Sequence, residues 1–241
     1  LSEATGEIAT ALGHSAKASA NYSFAQGWKA SASGVNATAI GTNAQANFEN
    51  TTVIGTNAKA NMRDAIAIGN NASTQGGASN AVVAIGKDVI GAGDGSVVIG
   101  EKAHTRGNEA IALGRSSNAT VYSIAIGANS IAGSDTTLAG QSIAIGQNAK
   151  AIGDAATAIG TSANANGSNA IASGAVANAS GNNSIATGLL SNATGENAIA
   201  IGNVSQALAN NTISIGHGNI VGGENSGAIG DPSIVNATNS Y

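Results

Sequence analysis

The three histidines are the side chains best suited to acid–base catalysis or metal binding, and they are His14, His104 and His217. His14 and His217 each follow a glycine of the same repeated motif, but they lie near opposite ends of the chain. The sequence contains no zinc-protease motif, no nucleophile–base grouping, no calcium-binding repeat and no phosphate loop. Cysteine is absent, which excludes disulfides and thiolate metal sites. We therefore expect neither an enzyme nor a bound cofactor or metal.

Basic residues recur at the middle of a short Ala-x-Ala or similar segment, at Lys17, Lys59, His104 and Lys150. Side chains at this position would project from one face of a strand. Such a basic stripe could contact acidic glycans or matrix proteins. Polar residues such as Gln45 fill the same position in other repeats, so an ordinary solvated face is the alternative. With 9 basic and 13 acidic residues, the net charge of −4 gives no support for nucleic-acid binding.

Two repeats are longer than the others, and both gain their extra residues after a second short strand. The interval from Gly69 to Gly86 is 17 residues and that from Gly127 to Gly146 is 19, against a usual 14. Loops that extend from a regular scaffold often bind ligands, although surface loops also accept neutral insertions. The candidate contact residues in these loops are Thr74, Gln75, Ser134, Asp135, Thr136 and Thr137.

Most of the few aromatic residues lie close together in the sequence, at Tyr22, Phe24, Trp28 and Phe48. Trp28 is a candidate ligand contact because large aromatic side chains often anchor binding surfaces. Covering an open end of the repeat array is an equally good role for this group.

A five-residue motif of the form Ser-Ile-Ala-Ile-Gly recurs along the chain and always ends at glycine. A fixed period of this kind predicts a solenoid rather than a globular domain with a single core. Glycine is expected at the turn that ends each motif because other residues avoid that backbone conformation. Representative turn glycines are Gly41, Gly55, Gly69, Gly100, Gly146, Gly160, Gly202 and Gly216.

One repeat, residues 183–196, reads as strand, turn, strand, turn. The four residues before the glycine alternate in size with a period of two, which is typical of a β-strand and not of a helix. Asn183 and Asn197 stand just before successive motif strands, where a left-handed backbone is expected. The sequence therefore predicts an all-β parallel solenoid with two short strands per 14-residue coil and two parallel sheets.

The motif strand has one face of large residues, such as Ile143 and Ile145, and one of small residues, such as Ser142 and Ala144. Neither face carries a charge in any repeat. A sheet with one face in water would show polar alternation, so we expect this sheet to be covered by its own roll on one side and by another chain on the other. Our expectation is that the Ile face fills the roll and that the Ala/Ser face meets neighbouring chains; the opposite assignment remains open.

The motifs Ser-Ile-Ala-Ile-Gly, Ala-Ile-Ala-Ile-Gly and Ala-Thr-Ala-Ile-Gly, followed by Asn-Ala-x-Ala, resemble the head domain of YadA-like trimeric autotransporter adhesins over residues 4–230. The resemblance implies a left-handed, homotrimeric β-roll on the outer membrane of a Gram-negative bacterium. It also implies binding to host cell-surface receptors or to matrix glycoproteins such as collagen, fibronectin or laminin. Departures from the pattern include Gln26, Ser173, Thr187 and Gly227.

The domain organisation expected from this resemblance is a β-roll head over residues 1–230 and a transition toward a neck or further head turns over 231–241. Residue 1 falls in the middle of a repeat, so the membrane anchor is expected outside this sequence.

Two other solenoid classes are weighed against an adhesin. Acyltransferase-like left-handed β-helices have a hexapeptide period, which does not divide 14. Ice-binding solenoids present regular ranks of threonine, whereas threonine here alternates irregularly with isoleucine, as at Thr38, Thr52 and Ile66.

Overall fold

The computed structural model describes residues 1–76, 81–134, 140–230 and 232–241, and these residues form strands and turns without a helix. The chain divides into two compact units, Leu1–Ala119 and Thr120–Tyr241. Each unit repeats the same coil, in which a three-residue motif strand and a second strand of two or three residues are joined by tight turns. The solenoid predicted from the 14-residue period is therefore confirmed.

In both units the even-numbered strands are the motif strands, which form the motif sheet, and the odd-numbered strands form the second sheet. The first unit contains β1 (Glu3–Ala4), β2 (Thr10–Leu12), β3 (Lys17–Ala18), β4 (Phe24–Gln26), β5 (Ser31–Ala32), β6 (Thr38–Ile40), β7 (Gln45–Ala46), β8 (Thr52–Ile54), β9 (Lys59–Ala60), β10 (Ile66–Ile68), β11 (Ser73–Gln75), β12 (Val83–Ile85), β13 (Ile90–Ala92), β14 (Val97–Ile99), β15 (His104–Arg106), β16 (Ile111–Leu113) and β17 (Asn118–Ala119).

The second unit contains β18 (Ile124–Ile126), β19 (Ile131–Ala132), β20 (Ile143–Ile145), β21 (Lys150–Ala151), β22 (Thr157–Ile159), β23 (Asn164–Ala165), β24 (Ile171–Ser173), β25 (Asn178–Ala179), β26 (Ile185–Thr187), β27 (Asn192–Ala193), β28 (Ile199–Ile201), β29 (Gln206–Ala207), β30 (Ile213–Ile215), β31 (Ile220–Val221), β32 (Gly227–Ile229) and β33 (Ile234–Val235).

Strands of each sheet pair in parallel with the equivalent strand of the next coil, so equal positions of successive repeats lie side by side. Ile143 pairs with Thr157 and Ile145 with Ile159 in the motif sheet, and Lys150 pairs with Asn164 in the second sheet. This register turns the sequence period into straight columns of like residues. A side chain can therefore interact with the residue at the same position one coil away.

Left-handed backbone occurs about every seven residues, at the two corners of each coil. Asn183 and Asn197 have φ of 56°, and similar values occur at Asn43 and Asn57 near the opposite corner. Asparagine tolerates this conformation better than most residues, which explains why it recurs there. The predicted role of the asparagines before the motif strands is confirmed.

The assignment of the two motif-strand faces was wrong. Ala144 and Ser142 are fully buried inside the roll, whereas Ile145 points outward and is 37% exposed. The inward positions of the second sheet are also mostly alanine, such as Ala149 and Ala151. Two alanine faces pack so closely that the space between the sheets does not accommodate rows of isoleucine. The large side chains therefore lie on the outside.

Several serines and threonines at the first inward motif position, including Ser23 and Thr51, bond to the turn carbonyl three residues earlier. Ser184 Oγ donates to the carbonyl oxygen of Gly181 at 2.6 Å, and Thr212 Oγ1 donates to Ala209 O at 2.7 Å. Because a buried hydroxyl needs a partner, the turn carbonyl three residues earlier makes this position suitable for Ser or Thr as well as Ala. The small residue that opens each motif thus serves the interior and not a chain contact.

The glycine that ends each motif stacks against the glycine of the next coil. A Cβ atom on Gly146 would overlap the backbone carbonyl of Gly160, and the φ of Gly146 is +134°. Steric overlap and backbone conformation both require glycine here. The same left-handed region holds the other predicted turn glycines, with φ between 126° and 141°: Gly41, Gly55, Gly69, Gly100, Gly160, Gly202 and Gly216.

Coil geometry continues past Gly230, because β33 pairs in parallel with β31 through Ile220–Ile234 and Val221–Val235. Asn239 again has a positive φ. The division at residue 230 remains a prediction, and Asp231 lies outside the described residues.

Candidate binding surfaces

The outward face of the motif sheet is uncharged throughout both units and mostly apolar, with threonine in several coils and Gln26 and Ser173 as further polar exceptions. Pairs such as Ile145–Ile159 stand in one column, and Ile99 and Ile159 are 41% and 43% exposed. No Asp, Glu, Lys or Arg occurs at any outward position of β2 to β32 in this sheet. Rows of half-exposed isoleucine on a sheet face are typical of a surface that another chain covers.

The outward face of the second sheet is mostly polar, with isoleucine in a few coils such as Ile90 and Ile131, and its lysines do not form a continuous stripe in the first unit. Ser31 and Gln45 separate Lys17 from Lys59 in the column. Lys17 also pairs with Glu3, with 3.4 Å between Nζ and Oε2 and both side chains 59% exposed. An exposed pair of this kind contributes little stability, yet it neutralises the lysine locally.

Only part of the two long loops lies within the described residues. Thr74 is fully buried and its hydroxyl accepts a hydrogen bond from Asn61 N at 3.1 Å, so its side chain offers no surface to a ligand. Gln75 is exposed, with its amide 3.3 Å from Ser73 Oγ. Ser134 is half-buried. The candidates Asp135, Thr136 and Thr137 lie outside the described residues.

Trp28 lies on the surface beside the corner that follows Gly27 and is 45% exposed. The Lys29 ammonium lies 4.3 Å from the centre of its ring, within cation–π range. Tyr22 and Phe48 are exposed to similar extents, 53% and 44%. These side chains are available for contact, and their role as a ligand patch remains a prediction.

An asparagine ladder, Asn164–Asn178–Asn192, crosses the second sheet of the second unit and was missed in the sequence. Asn164 Nδ2 donates to Asn178 Oδ1 at 2.9 Å, and Asn178 Nδ2 donates to Asn192 Oδ1 at 2.8 Å. The signal was present in the sequence, because the three residues are spaced 14 apart at the outward position of successive second strands.

A shallow cavity of about 370 Å³ lies at the start of this ladder. Its lining includes Lys150, a candidate contact residue, together with polar side chains that the sequence analysis did not select. The lining residues are Asn148, Lys150, Ile152, Ser162, Ala163, Asn164 and Asn166.

Groups of three or more potential metal ligands are absent from the described part of the chain. The same residues include no helix with the length and apolarity needed to span a membrane.

A family model described as the YadA head domain repeat matches most of the chain. The matched residues are 4–30, 32–58, 49–72, 92–117, 138–163, 151–175, 165–191 and 193–219. The chain belongs to the YadA head family. Membership agrees with the repeated coil and gives this YadA-like head an adhesin-type function.

The YadA-like head is also similar to the collagen-binding domain of the Yersinia adhesin YadA, at 30% sequence identity and a TM-score of 0.41. That alignment covers 66% of this chain and 70% of the Yersinia domain. A comparison with curated protein sequences finds no match.

Proposed function

We propose that this chain is the head of a homotrimeric adhesin on the outer membrane of a Gram-negative bacterium, and that it binds host matrix proteins such as collagen, fibronectin or laminin. The observation that supports this proposal is the uncharged isoleucine face of the motif sheet, in a chain that belongs to an adhesin family. The acyltransferase-like and ice-binding alternatives gain no support from the geometry.

Association through the motif sheet follows from the cost of leaving its outward face in water. Each half-exposed isoleucine still has apolar surface to bury, at about 25 cal/mol per Å². Face-to-face or edge contact between three identical rolls would bury these columns, and the closed symmetry would leave no motif face unpaired. A trimer is therefore still proposed, but its interface is formed by the outward isoleucines and not by the Ala/Ser face.

The polar second sheet is left accessible in this arrangement. Three chains would present each weak contact three times, and linked contacts raise avidity without a deep pocket. The trimer would then carry three copies of the cavity and of the loops, one on each chain.

Sedimentation equilibrium at several concentrations tests the assembly, with a trimer expected at three times the 23.0 kDa chain mass. Binding to immobilised collagen, fibronectin and laminin tests the ligand, and collagen is the first probe. We expect the trimer to bind at least one of them more tightly than a monomeric variant. A monomer at every concentration overturns the assembly, and a trimer that binds none of the three overturns the ligand class.

A further inference from the structure

We infer that the cavity beside Lys150 binds an acidic sugar residue of a host glycan. This inference rests on the proposed adhesin function and names a ligand class and a site for it. The cavity lies wholly within the second unit, on the second sheet, which faces away from the isoleucine columns of the motif sheet.

The asparagine ladder supplies a directed hydrogen-bond acceptor. Both of its hydrogen bonds run toward the C-terminal coil, from Asn164 to Asn178 and from Asn178 to Asn192. The first carbonyl, Asn164 Oδ1, receives no donor in the described structure. A chain of amides polarises its members, so this terminal oxygen is a stronger acceptor than that of an isolated asparagine. It suits a ligand hydroxyl.

Uncommitted donors surround this acceptor. Lys150 takes part in none of the ion pairs found among the described residues, and its register partner is Asn164. Asn148 accepts a bond from Asn129 Nδ2 at 3.1 Å, which leaves its own Nδ2 hydrogens unused in the described structure. The side chains of Ser162 and Asn166 likewise have no partner there. The site therefore offers several neutral donors and acceptors around one cation.

An apolar side chain completes the cavity. Ile152 is 37% exposed and lines it together with the polar groups. A sugar ring presents hydroxyls at its edge and C–H groups on its face, so it uses both kinds of surface. One ammonium matches one carboxylate, as in a uronic or sialic acid. The volume of about 370 Å³ is near the lower end of the usual range for small-ligand sites, about 300–1,000 Å³, which suits one or two sugar rings.

Lys59 provides an internal comparison, because it occupies the same coil position in the first unit. Its column neighbours are Gln45 and Ser73, so no asparagine ladder begins in its own column, and the nearby amide bonds Asn43–Asn57 and Asn47–Asn61 lie in the flanking columns. It is exposed and has no ion-pair partner among the described residues, as is also true of Lys150. A general attraction of anions to surface lysine would involve both residues, whereas the proposed site requires Lys150 alone.

The experiment is a titration of the intact chain with N-acetylneuraminic acid, glucuronic acid and neutral lactose, followed by saturation-transfer NMR and by shifts of the asparagine side-chain amides. We expect an acidic sugar to bind and to shift the Asn148, Asn164 and Asn166 amides, with lactose at least tenfold weaker. Lys150→Gln should lower the affinity about tenfold or more, and Lys59→Gln should leave it unchanged. Circular dichroism checks that both variants fold.

Absence of binding by both acids overturns the inference, as does equal loss in the two lysine variants or equal binding of lactose. If the acids do not bind but trimer and matrix binding persist, the glycan site fails and the proposed adhesin function stands. If the acids bind as expected and no matrix protein does, the glycan site stands and the matrix ligand fails.

Discussion

The motif sheet and the second sheet have nearly the same inner face and opposite outer faces. Inside the roll, Ala144 of one sheet and Ala151 of the other are both fully buried. Outside, Ile145 is apolar and half-exposed, whereas Lys150 is charged and solvated. The difference shows that the narrow interior constrains only the inward positions. The outward positions are free to specialise, and under the proposed function one face serves association and the other serves ligand contact.

The largest effect is expected when charges are placed on the outward face of the motif sheet and, as a control, on the outward face of the second sheet. We predict that the double substitution Ile40→Asp and Ile54→Asp abolishes the trimer at micromolar concentration. A buried carboxylate without a partner costs about 3 kcal/mol or more, which is at least about 100-fold in affinity. Sedimentation equilibrium measures the result.

Ser31→Asp and Gln45→Asp form the matched control, because these residues pair with each other across the second sheet as Ile40 and Ile54 pair across the motif sheet. Each pair places two like charges side by side within one roll, and in the control Lys17 and Lys59 flank the two aspartates and offset part of their repulsion. We expect the control to remain trimeric. Dissociation of both variants, or of neither, would contradict the assignment of the motif face as the seam.

The corner that joins the motif strand to the second sheet provides the next test. We predict that Gly146→Ala destabilises the chain by about 3 kcal/mol or more, because the added Cβ overlaps the rigid backbone of Gly160 and also strains φ. Urea unfolding gives the free energy. Gly95→Asn, at the opposite corner just before β14, is the control: its φ of +65° lies in the region that asparagine tolerates, with no atom closer than 3.7 Å to the new Cβ. A change beyond about 1 kcal/mol there would show that corner geometry is not the cause.

The packing between the two sheets can be tested at Gly91, where a glycine of the second sheet faces larger side chains of the motif sheet. Gly91 takes an inward position of the second sheet that is alanine in most coils, and a Cβ there would lie 2.6 Å from Val82 Cγ1 and 3.0 Å from Val98 Cγ1. We predict that Gly91→Ala costs about 1–3 kcal/mol by overpacking. Adding Val82→Ala should recover a measurable part of this loss in a double-mutant cycle. Purely additive effects would mean that the two sheets do not share one packing layer.

The repeat geometry could be predicted from the sequence because each coil is short and uses the same local rules. The period gave the number of strands per coil, and asparagine and glycine marked the left-handed corners. The inward and outward faces could not be told apart from alternation alone, because a two-residue period fixes which residues share a face but not where the face points. The separation between the sheets decides that question.

The candidate site was less predictable for a related reason. Lys150 was visible as a charge, but its significance depends on Asn164 one coil away and on the direction of the amide ladder. Asparagine is common in this chain, and a column of three is identified only once the register is known. Thr74 shows the opposite error, since a residue beside a long loop can still face the interior.

The smallest predicted effect concerns Val176, at a left-handed corner where asparagine is the commonest residue in other coils. Val176 has φ of 57° and is 49% exposed, although β-branched residues rarely adopt a left-handed backbone, which costs about 1–2 kcal/mol. We predict that Val176→Asn stabilises the isolated chain by about 0.5–1 kcal/mol, since the lost apolar contact offsets part of the relief. The reverse change, Asn183→Val, should destabilise because it also removes hydrogen bonds to Asn169 and Asn197. Thermal unfolding at several protein concentrations separates two causes. If Val176→Asn raises the unfolding temperature equally at all concentrations, relief of backbone strain explains the effect. If the variant instead associates more weakly, Val176 belongs to the apolar interface together with the motif face.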